Sequence, residues 1–506
     1  MANIVDALLE AVNHQKLGNP GVAEAIYQDV IRHDPEHPNA LYLYGLLQLK
    51  DGRTAGAAAM LDRAARLRSD VDPWLHLARA RLATGEAAQA LEAAETALAL
   101  GGPGIEALHL HGTALNACRR PAEAIISLTE AVRRGPLHAA ARLNLGNALA
   151  DLDQMEQAEA HIREAIRLDP GLEEAQVSLG FVLASQGRLD DAIAVYESTL
   201  RFNPGSGEAR WNLATALLLK GDFQRGFSEY EWRKTHRSFR HFFRQLPGPA
   251  WTGFPLTGQT LLVHAEQGLG DTIQLARCMP DLAAQGARVV LACDAPLIPL
   301  LRNQAGIADI VSRTDDLPPY HCWVDQMSLP RLLRQTPDTI PGAGGYLVCD
   351  LDRQHAWKQR LPDARIGLVW GGNPLHTNDG RRSLPPDVAR RLARPGMISL
   401  QSGPRAAEAT GMGMIDLSEH LTDFAETAAL IANLDLVITV DTAVAHLAGA
   451  LGVPVWVMLP KAPDWRWIVG RDDTPWYSSM RLFRQDAAGD WDCVVGRIHA
   501  ALQAPR

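Results

Sequence analysis

Apolar residues in the first 230 or so positions recur at helical spacing, and the pattern returns on a fixed period. Prolines at 136, 170 and 204 stand 34 residues apart, with Pro35 earlier in the series. Five residues before them lie Ala131, Ala165 and Thr199, with Val30 before Pro35. Leucine–small pairs recur at Leu77-Ala78, Leu145-Gly146, Leu179-Gly180 and Leu213-Ala214, and twelve positions later come Ala90, Ala158, Ala192 and Gly226. Small side chains there let two helices cross closely. Each unit therefore predicts a helix pair that buries its apolar face against the next pair.

Beyond residue 233 apolar runs shorten to strand length and alternate with helical stretches. Strands are predicted over 260–265, 288–292, 321–324, 365–370, 397–400, 436–440 and 453–459, and helices over 271–285, 423–432 and 442–451. Such alternation implies parallel sheets. The stretch with Pro247, Gly248, Pro249, Gly253, Pro255 and Gly258 reads as a linker. The fold class is α + α/β. A tetratricopeptide α-solenoid of about seven repeats spans 1–233, with units starting near 4, 38, 71, 105, 139, 173 and 207. A linker occupies 234–259, and then comes a two-lobed α/β region with an N-terminal lobe over 260–360 and a C-terminal lobe over 361–506. The last repeat ends in aromatics (Phe227, Tyr230, Trp232), which predicts a capping unit docked on the next domain.

Composition narrows the function classes. A net charge of −9 argues against nucleic acid as the default partner. No run of 18 apolar residues predicts a membrane span, and the first ten residues read as an amphipathic helix rather than a signal peptide. The six cysteines form no CxxC, which fits a cytoplasmic protein without structural zinc. Asp70-Val71-Asp72 lies at a repeat junction and reads as a turn and helix cap, not a metal motif, so no metal site is expected.

Two strand–turn–helix segments carry the chemistry. In the first, Leu261 to Ala265 runs into Glu266-Gln267-Gly268-Leu269-Gly270-Asp271-Thr272. In the second, Leu436 to Val440 runs into Asp441-Thr442-Ala443-Val444-Ala445-His446 and a helix ending at Gly452. Ligands in open α/β sheets bind at the carboxyl ends of strands, and helix N-termini there favour phosphate. On the residues alone, Asp271 is either a helix cap or a base, with Glu266 and His264 in reserve. His446, four residues after Thr442, is either a phosphate or sugar donor or a structural histidine. Asn373, His376 and Gln401 end neighbouring strands, and Arg382 is the best candidate cation. Glu426 is a ribose ligand or a surface acid, and Trp465 stacks on a ligand or packs an interface.

The turns at 268–272 and 440–452 resemble the ADP-heptose:lipopolysaccharide heptosyltransferase superfamily, and more closely bacterial proteins that fuse tetratricopeptide repeats to such a domain. Further landmarks are Tyr230-Glu231-Trp232-Arg233, Trp370-Gly371-Gly372-Asn373-Pro374, Arg382-Ser383, Ser399-Leu400-Gln401, Asp423-Phe424-Ala425-Glu426-Thr427 and Pro463-Asp464-Trp465-Arg466-Trp467. The resemblance implies an inverting, metal-independent glycosyltransferase of the GT-B fold. It would need no obligatory cofactor, with a nucleotide-activated sugar as co-substrate. It implies Asp271 as base within the Gly268, Gly270, Thr272 turn. Donor phosphates would lie on the N–H groups of Thr442, Ala443 and Val444, on Arg382 and on His446, while Asp441 holds sugar hydroxyls or braces the loop. It further implies a protein acceptor, flagellin or another surface protein, recruited by the repeats. Asn144, Asn147, Ser178 and Asn212 are candidates for that groove, or ordinary solvated polar residues. Two alternatives stand beside this reading: a tetratricopeptide scaffold with a degenerate transferase domain, and a transferase acting on lipopolysaccharide or polysaccharide. The basic–aromatic segment 233–244 is an interdomain strut or a contact for a membrane or acidic partner.

Overall fold

The computed structural model describes residues 4–236, 239, 243–361, 365–376 and 378–504. Arg237, Ser238, Arg240, His241 and Phe242 of the basic–aromatic segment lie outside them. No helix among the described residues is long and apolar enough to cross a membrane. The chain forms two compact units, Met1–Leu183 and Ala184–Arg506.

Helix pairs fill the first 230 residues in the predicted register. The first helices of the seven pairs begin at Ile4, Pro38, Asp72, Ile105, Ala139, Glu173 and Gly207. The small residues sit where close crossing requires them. A Cβ on Gly146 would lie 2.5 Å from Cγ1 of Ile162, and one on Gly112 would lie 2.5 Å from Cγ of Leu128. Ala90, Ala158 and Ala192 are fully buried. The cap expected at Asp70-Val71-Asp72 does not form. Asp70 bonds Arg68 instead, because the guanidinium reaches both carboxylate oxygens, and no side chain caps the Asp72–Thr84 helix.

The second unit holds the last repeat helices and two parallel sheets. The first sheet comprises β1 (Thr260–His264), β2 (Arg288–Cys293), β3 (Asp309–Ser312) and β4 (Cys322–Asp325), ordered β3-β2-β1-β4. The second comprises β5 (Ile366–Val369), β6 (Ile398–Ser399), β7 (Ile415–Asp416), β8 (Leu436–Val440), β9 (Val455–Leu459) and β10 (Met480–Arg484), ordered β10-β9-β8-β5-β6-β7. β3, β7 and β10 escape the sequence reading. β7 has two residues, and β3 and β10 carry charged residues that interrupt the apolar run. All five β8 residues are buried, as a strand covered on both faces demands. The order in which strands are added reverses between β1 and β4 in the first sheet and between β5 and β8 in the second, so both switch points lie beside the 266–272 and 441–446 turns.

The linker is not free chain. Ala250 bridges to Trp323 of β4, and the Trp251 N–H donates to the Trp323 carbonyl at 2.6 Å. The last repeat docks as predicted: Phe223 stacks on Trp476 at 5.5 Å, and Phe227 and Tyr230 meet Trp465 edge-on at 5.6 and 5.9 Å. Arg233 comes next, fully buried. It donates to Glu266 at 2.8 Å, Glu231 at 2.9 Å and Ser328 at 3.0 Å. Glu266, equally buried, has Arg233 as its one ion pair among the described residues.

Removing Arg233 leaves the Glu266 charge buried without its counter-charge. Arg233→Met is expected to cost about 3–5 kcal/mol, and adding Glu266→Gln should recover much of it. Denaturation followed by tryptophan fluorescence reads this, since nine of twelve tryptophans lie at or beyond Trp251.

Candidate functional site

The turns after β1 and β8 come together. Gly268 caps the Leu269–Leu275 helix, and Thr442 caps the Ala443–Ala450 helix. A Cβ on Gly270 would lie 2.9 Å from Cδ2 of His446 and 3.4 Å from Cα of Ala443. Only a residue without a side chain allows this approach, and it brings the two helix starts into contact.

Asp271 is not the cap. It stands three residues past Gly268, and its Oδ2 accepts the Gly268 N–H at 2.8 Å. Its Oδ1 accepts from Arg466, which reaches across from the second sheet. Arg466 is nearly buried. It also donates to Gln274 at 2.9 Å and Asp464 at 2.7 Å, and it stacks over Trp465 at 4.2 Å. Thr272 is buried and bonds back to the Gly268 carbonyl. Tyr230, from the last repeat helix, bonds Gln267 just before the turn at 3.2 Å.

Asp441, at the start of the second turn, is partly buried, with Asp464, Arg382, Trp467 and Arg466 around it. Burial, then the Asp464 charge, push its carboxyl up to about 6 against the pull of the two arginines. Arg382 lies over Gly372 and pairs with Asp379 at 3.4 Å. His376 sits on the exposed loop after β5, its Nδ1 accepting the Asn378 N–H. Burial and then Arg382 hold its pKa down. Asn373 is exposed and turns its side chain onto the Leu375 N–H. Among the described residues, the N–H groups of Thr442, Ala443 and Val444 meet no acceptor, and the Thr442 hydroxyl lies 3.2 Å from that of Thr439.

Several predicted ligands are engaged within the fold. His446 is buried, stacked on Trp467 at 5.5 Å, with Nδ1 3.0 Å from the Tyr477 hydroxyl. Desolvation holds it neutral. The Gln401 carbonyl accepts from Trp370 and Gly371, and its amide donates to Gly371 and Ser402. Glu426 accepts from Arg353 at 2.8 Å and from the Trp357 indole at 2.9 Å. Trp465 packs between the last repeat and Trp476. Asn144 bonds His109 and Thr113 of the preceding repeat, while Asn147, Ser178 and, in the second unit, Asn212 are partly exposed.

Sequence assigns no role to Arg466 or Gln274, because nothing in spacing relates residue 466 to residue 271 or 274. Among the described residues the structure also gathers one cluster of metal-capable groups that spacing did not reveal, Glu106, His109 and His138, from consecutive repeats. His138 Nδ1 accepts the Ala141 N–H, so neutral His138 points Nε2–H at Glu106, 3.5 Å away. His109 and Arg79 hold the Glu106 carboxyl down to about 2. The set reads as a hydrogen-bonded acid, since metal binding at Nε2 would require the other tautomer of His138.

The Gly270 contact makes a prediction of its own. His446 cannot retreat, being held by Trp467 and Tyr477, so Gly270→Val should destabilise the second unit by about 1–3 kcal/mol, read as a lowered denaturation midpoint.

Comparison with known proteins matches repeats and a transferase family to separate stretches of the chain. The tetratricopeptide repeat model matches residues 8–72, 109–173 and 179–231, and the glycosyltransferase family 9 (heptosyltransferase) model matches 388–458. The latter takes in Gln401, Glu426 and the 441–446 turn, while Asp271 and Arg466 lie outside it. Protein FlbA of Caulobacter vibrioides is 30% identical over 295 residues, covering 51% of this chain and 49% of that protein. The chain thus spans about half the length of this curated relative. Among solved structures, a tetratricopeptide repeat protein from Parabacteroides merdae is 15% identical, covering 46% of this chain and 92% of its own, with a TM-score of 0.41. MamA from Desulfovibrio magneticus RS-1 is 20% identical, covering 33% and 96%, with a TM-score of 0.29. The chain thus joins segments that match tetratricopeptide repeats to a segment, 388–458, that matches glycosyltransferase family 9 (heptosyltransferase).

Proposed function

We propose that the protein is an inverting, metal-independent glycosyltransferase of the GT-B type. It takes a sugar from a nucleotide-activated donor and places it on a protein acceptor recruited by the repeats, in the cytoplasm. The observation that carries this is the meeting of the 268–272 and 441–446 turns through Gly270, which gathers Asp271, Asp441, Asp464, Arg382 and Arg466 at two sheet switch points. In this reading, the N–H groups of Thr442, Ala443 and Val444 and the guanidinium of Arg382 receive the donor phosphates. They stabilise the charge that grows on the leaving nucleotide. Asp271 takes the proton of the acceptor hydroxyl. For that, one of its two engaged oxygens must turn to the hydroxyl, and Oδ1, bonded to Arg466 rather than to backbone, is the one free to do so. His446, neutral and packed against Gly270, shapes the turn. Asn373 and His376 are the exposed groups that reach donor sugar, and Gln401 and Glu426 brace the loops around it.

One observation favours the scaffold reading instead: both Asp271 oxygens have partners within the chain. Transfer decides between them. With a sugar-labelled donor and the cell's own protein extract, Asp271→Asn should lose at least about a hundredfold in rate while remaining folded, with a melting temperature lowered by the weakened Arg466 pair. Arg382→Ala should weaken nucleotide-sugar binding by about ten- to a hundredfold. Full turnover in Asp271→Asn removes that residue as base, and a folded wild type that binds no nucleotide sugar supports the scaffold.

A further inference from the structure

Asp441 stands at the turn that receives an anion, where a second negative charge is least welcome. Asp464, Arg466 and Trp467 face it from the 464–467 turn, and Arg382 from the Asp379–Arg382 helix. The guanidinium groups are engaged elsewhere. Arg466 bonds Asp271 and Asp464, and Arg382 pairs with Asp379. Among the described residues no guanidinium hydrogen-bonds Asp441 itself. When all are ionised, four acids (Asp271, Asp379, Asp441, Asp464) surround two arginines. His376, which faces Arg382, Asp464, Asp379 and Asp271, is neutral. The turn is thus already negative before a donor arrives, and a pyrophosphate diester brings two more negative charges. A carboxylate that lacks a guanidinium partner is the group in this set best able to relieve that excess by taking a proton.

We propose that Asp441 binds one proton as the phosphates of a nucleotide-sugar donor seat on the 442–444 turn, and that its neutral carboxyl then donates a hydrogen bond to the bound donor. This rests on the donor-site reading under Proposed function. The proton comes from solvent and returns when the nucleotide leaves. The free carboxyl, already displaced upward by burial and by Asp464, ionises above about pH 6, so uptake on binding is expected at neutral pH and above. The device lets one aspartate sit beside a phosphate without repelling it, and it makes donor affinity fall as pH rises.

The test is calorimetric titration of the full chain with ADP-glucose, UDP-glucose, GDP-mannose and CMP-N-acetylneuraminate, whose phosphate esters do not titrate near neutrality. For whichever binds, the heat is measured in two buffers of different ionisation enthalpy at about pH 7.5, and the affinity is followed to about pH 9. The expected result is uptake of about one proton and an association constant that falls by up to about tenfold per pH unit. Both should vanish in Asp441→Asn. Buffer-independent heat in the wild type overturns the proposal, as does uptake that survives in Asp441→Asn. If Asp441→Asn does not fold, the wild-type proton count decides alone. Binding without proton uptake leaves the donor site standing and removes this role of Asp441, whereas no binding by any of the four removes both.

Discussion

A buried guanidinium must be matched by acceptors at fixed positions, and Arg466 imposes that demand at the centre of the second unit. Its nitrogens reach Asp271 and Gln274 on the first sheet's helix and Asp464 on its own turn, and its flat face lies on Trp465. Leaving such an ion without partners would cost several kcal/mol. The two sheets and the turn at 464–467 therefore cannot shift independently. Trp465 carries the constraint onward, because its edges meet Phe227 and Tyr230 of the last repeat helix. A single side chain thus ties the Asp271 carboxylate, the second sheet and the end of the repeats in this unit.

Two further buried arginines serve neighbouring junctions. Arg233 joins the end of the repeats to Glu266 after β1. Arg277 donates to the Trp476 carbonyl at 2.7 Å and lies over the rings of Tyr346 and Tyr477 at 4.5 and 4.7 Å. Lysine would not substitute at these sites. A planar guanidinium can lie flat on rings while directing hydrogen bonds in its plane, whereas an ammonium is compact and strongly hydrated. The segment before the second sheet is strapped on as well, with the Tyr346 and Leu347 N–H groups both donating to the Ala450 carbonyl. Junctions made of directional hydrogen bonds hold loops in register more tightly than apolar contact alone, and register is what a site shared between two sheets requires.

The same arrangement explains why several promising polar residues turn inward. Gln401 follows β6 and Glu426 sits in the first turn of the Phe424–Ile431 helix, where backbone N–H and indole groups need acceptors. His446 fills the space that Gly270 leaves and is neutral there because Trp467 and Tyr477 exclude water. Exposed or partly exposed nearby are residues 442–444, Asp271, Asn373, His376, Arg382 and Asp441.

The repeat period, the helix pairs and their first residues were legible in the sequence because each unit's contacts are local and its small residues recur. β8 and the turns at 268–272 and 441–446 were legible too, since an apolar run breaking at Gly or Asp-Thr is a short-range signal. The short or charged strands β3, β7 and β10 were not, because tertiary pairing rather than periodicity makes them strands. Nor was the Arg466–Asp271 pair, the Glu106–His109–His138 cluster or the packing of Trp465 and His446. The sequence by itself determined the repeats, β8 and the two turns, for these depend on side-chain type and local spacing. Only the tertiary structure decided which of those side chains face one another, because burial and the partners of a charge depend on residues that sequence separation, here 195 positions between Asp271 and Arg466, hides.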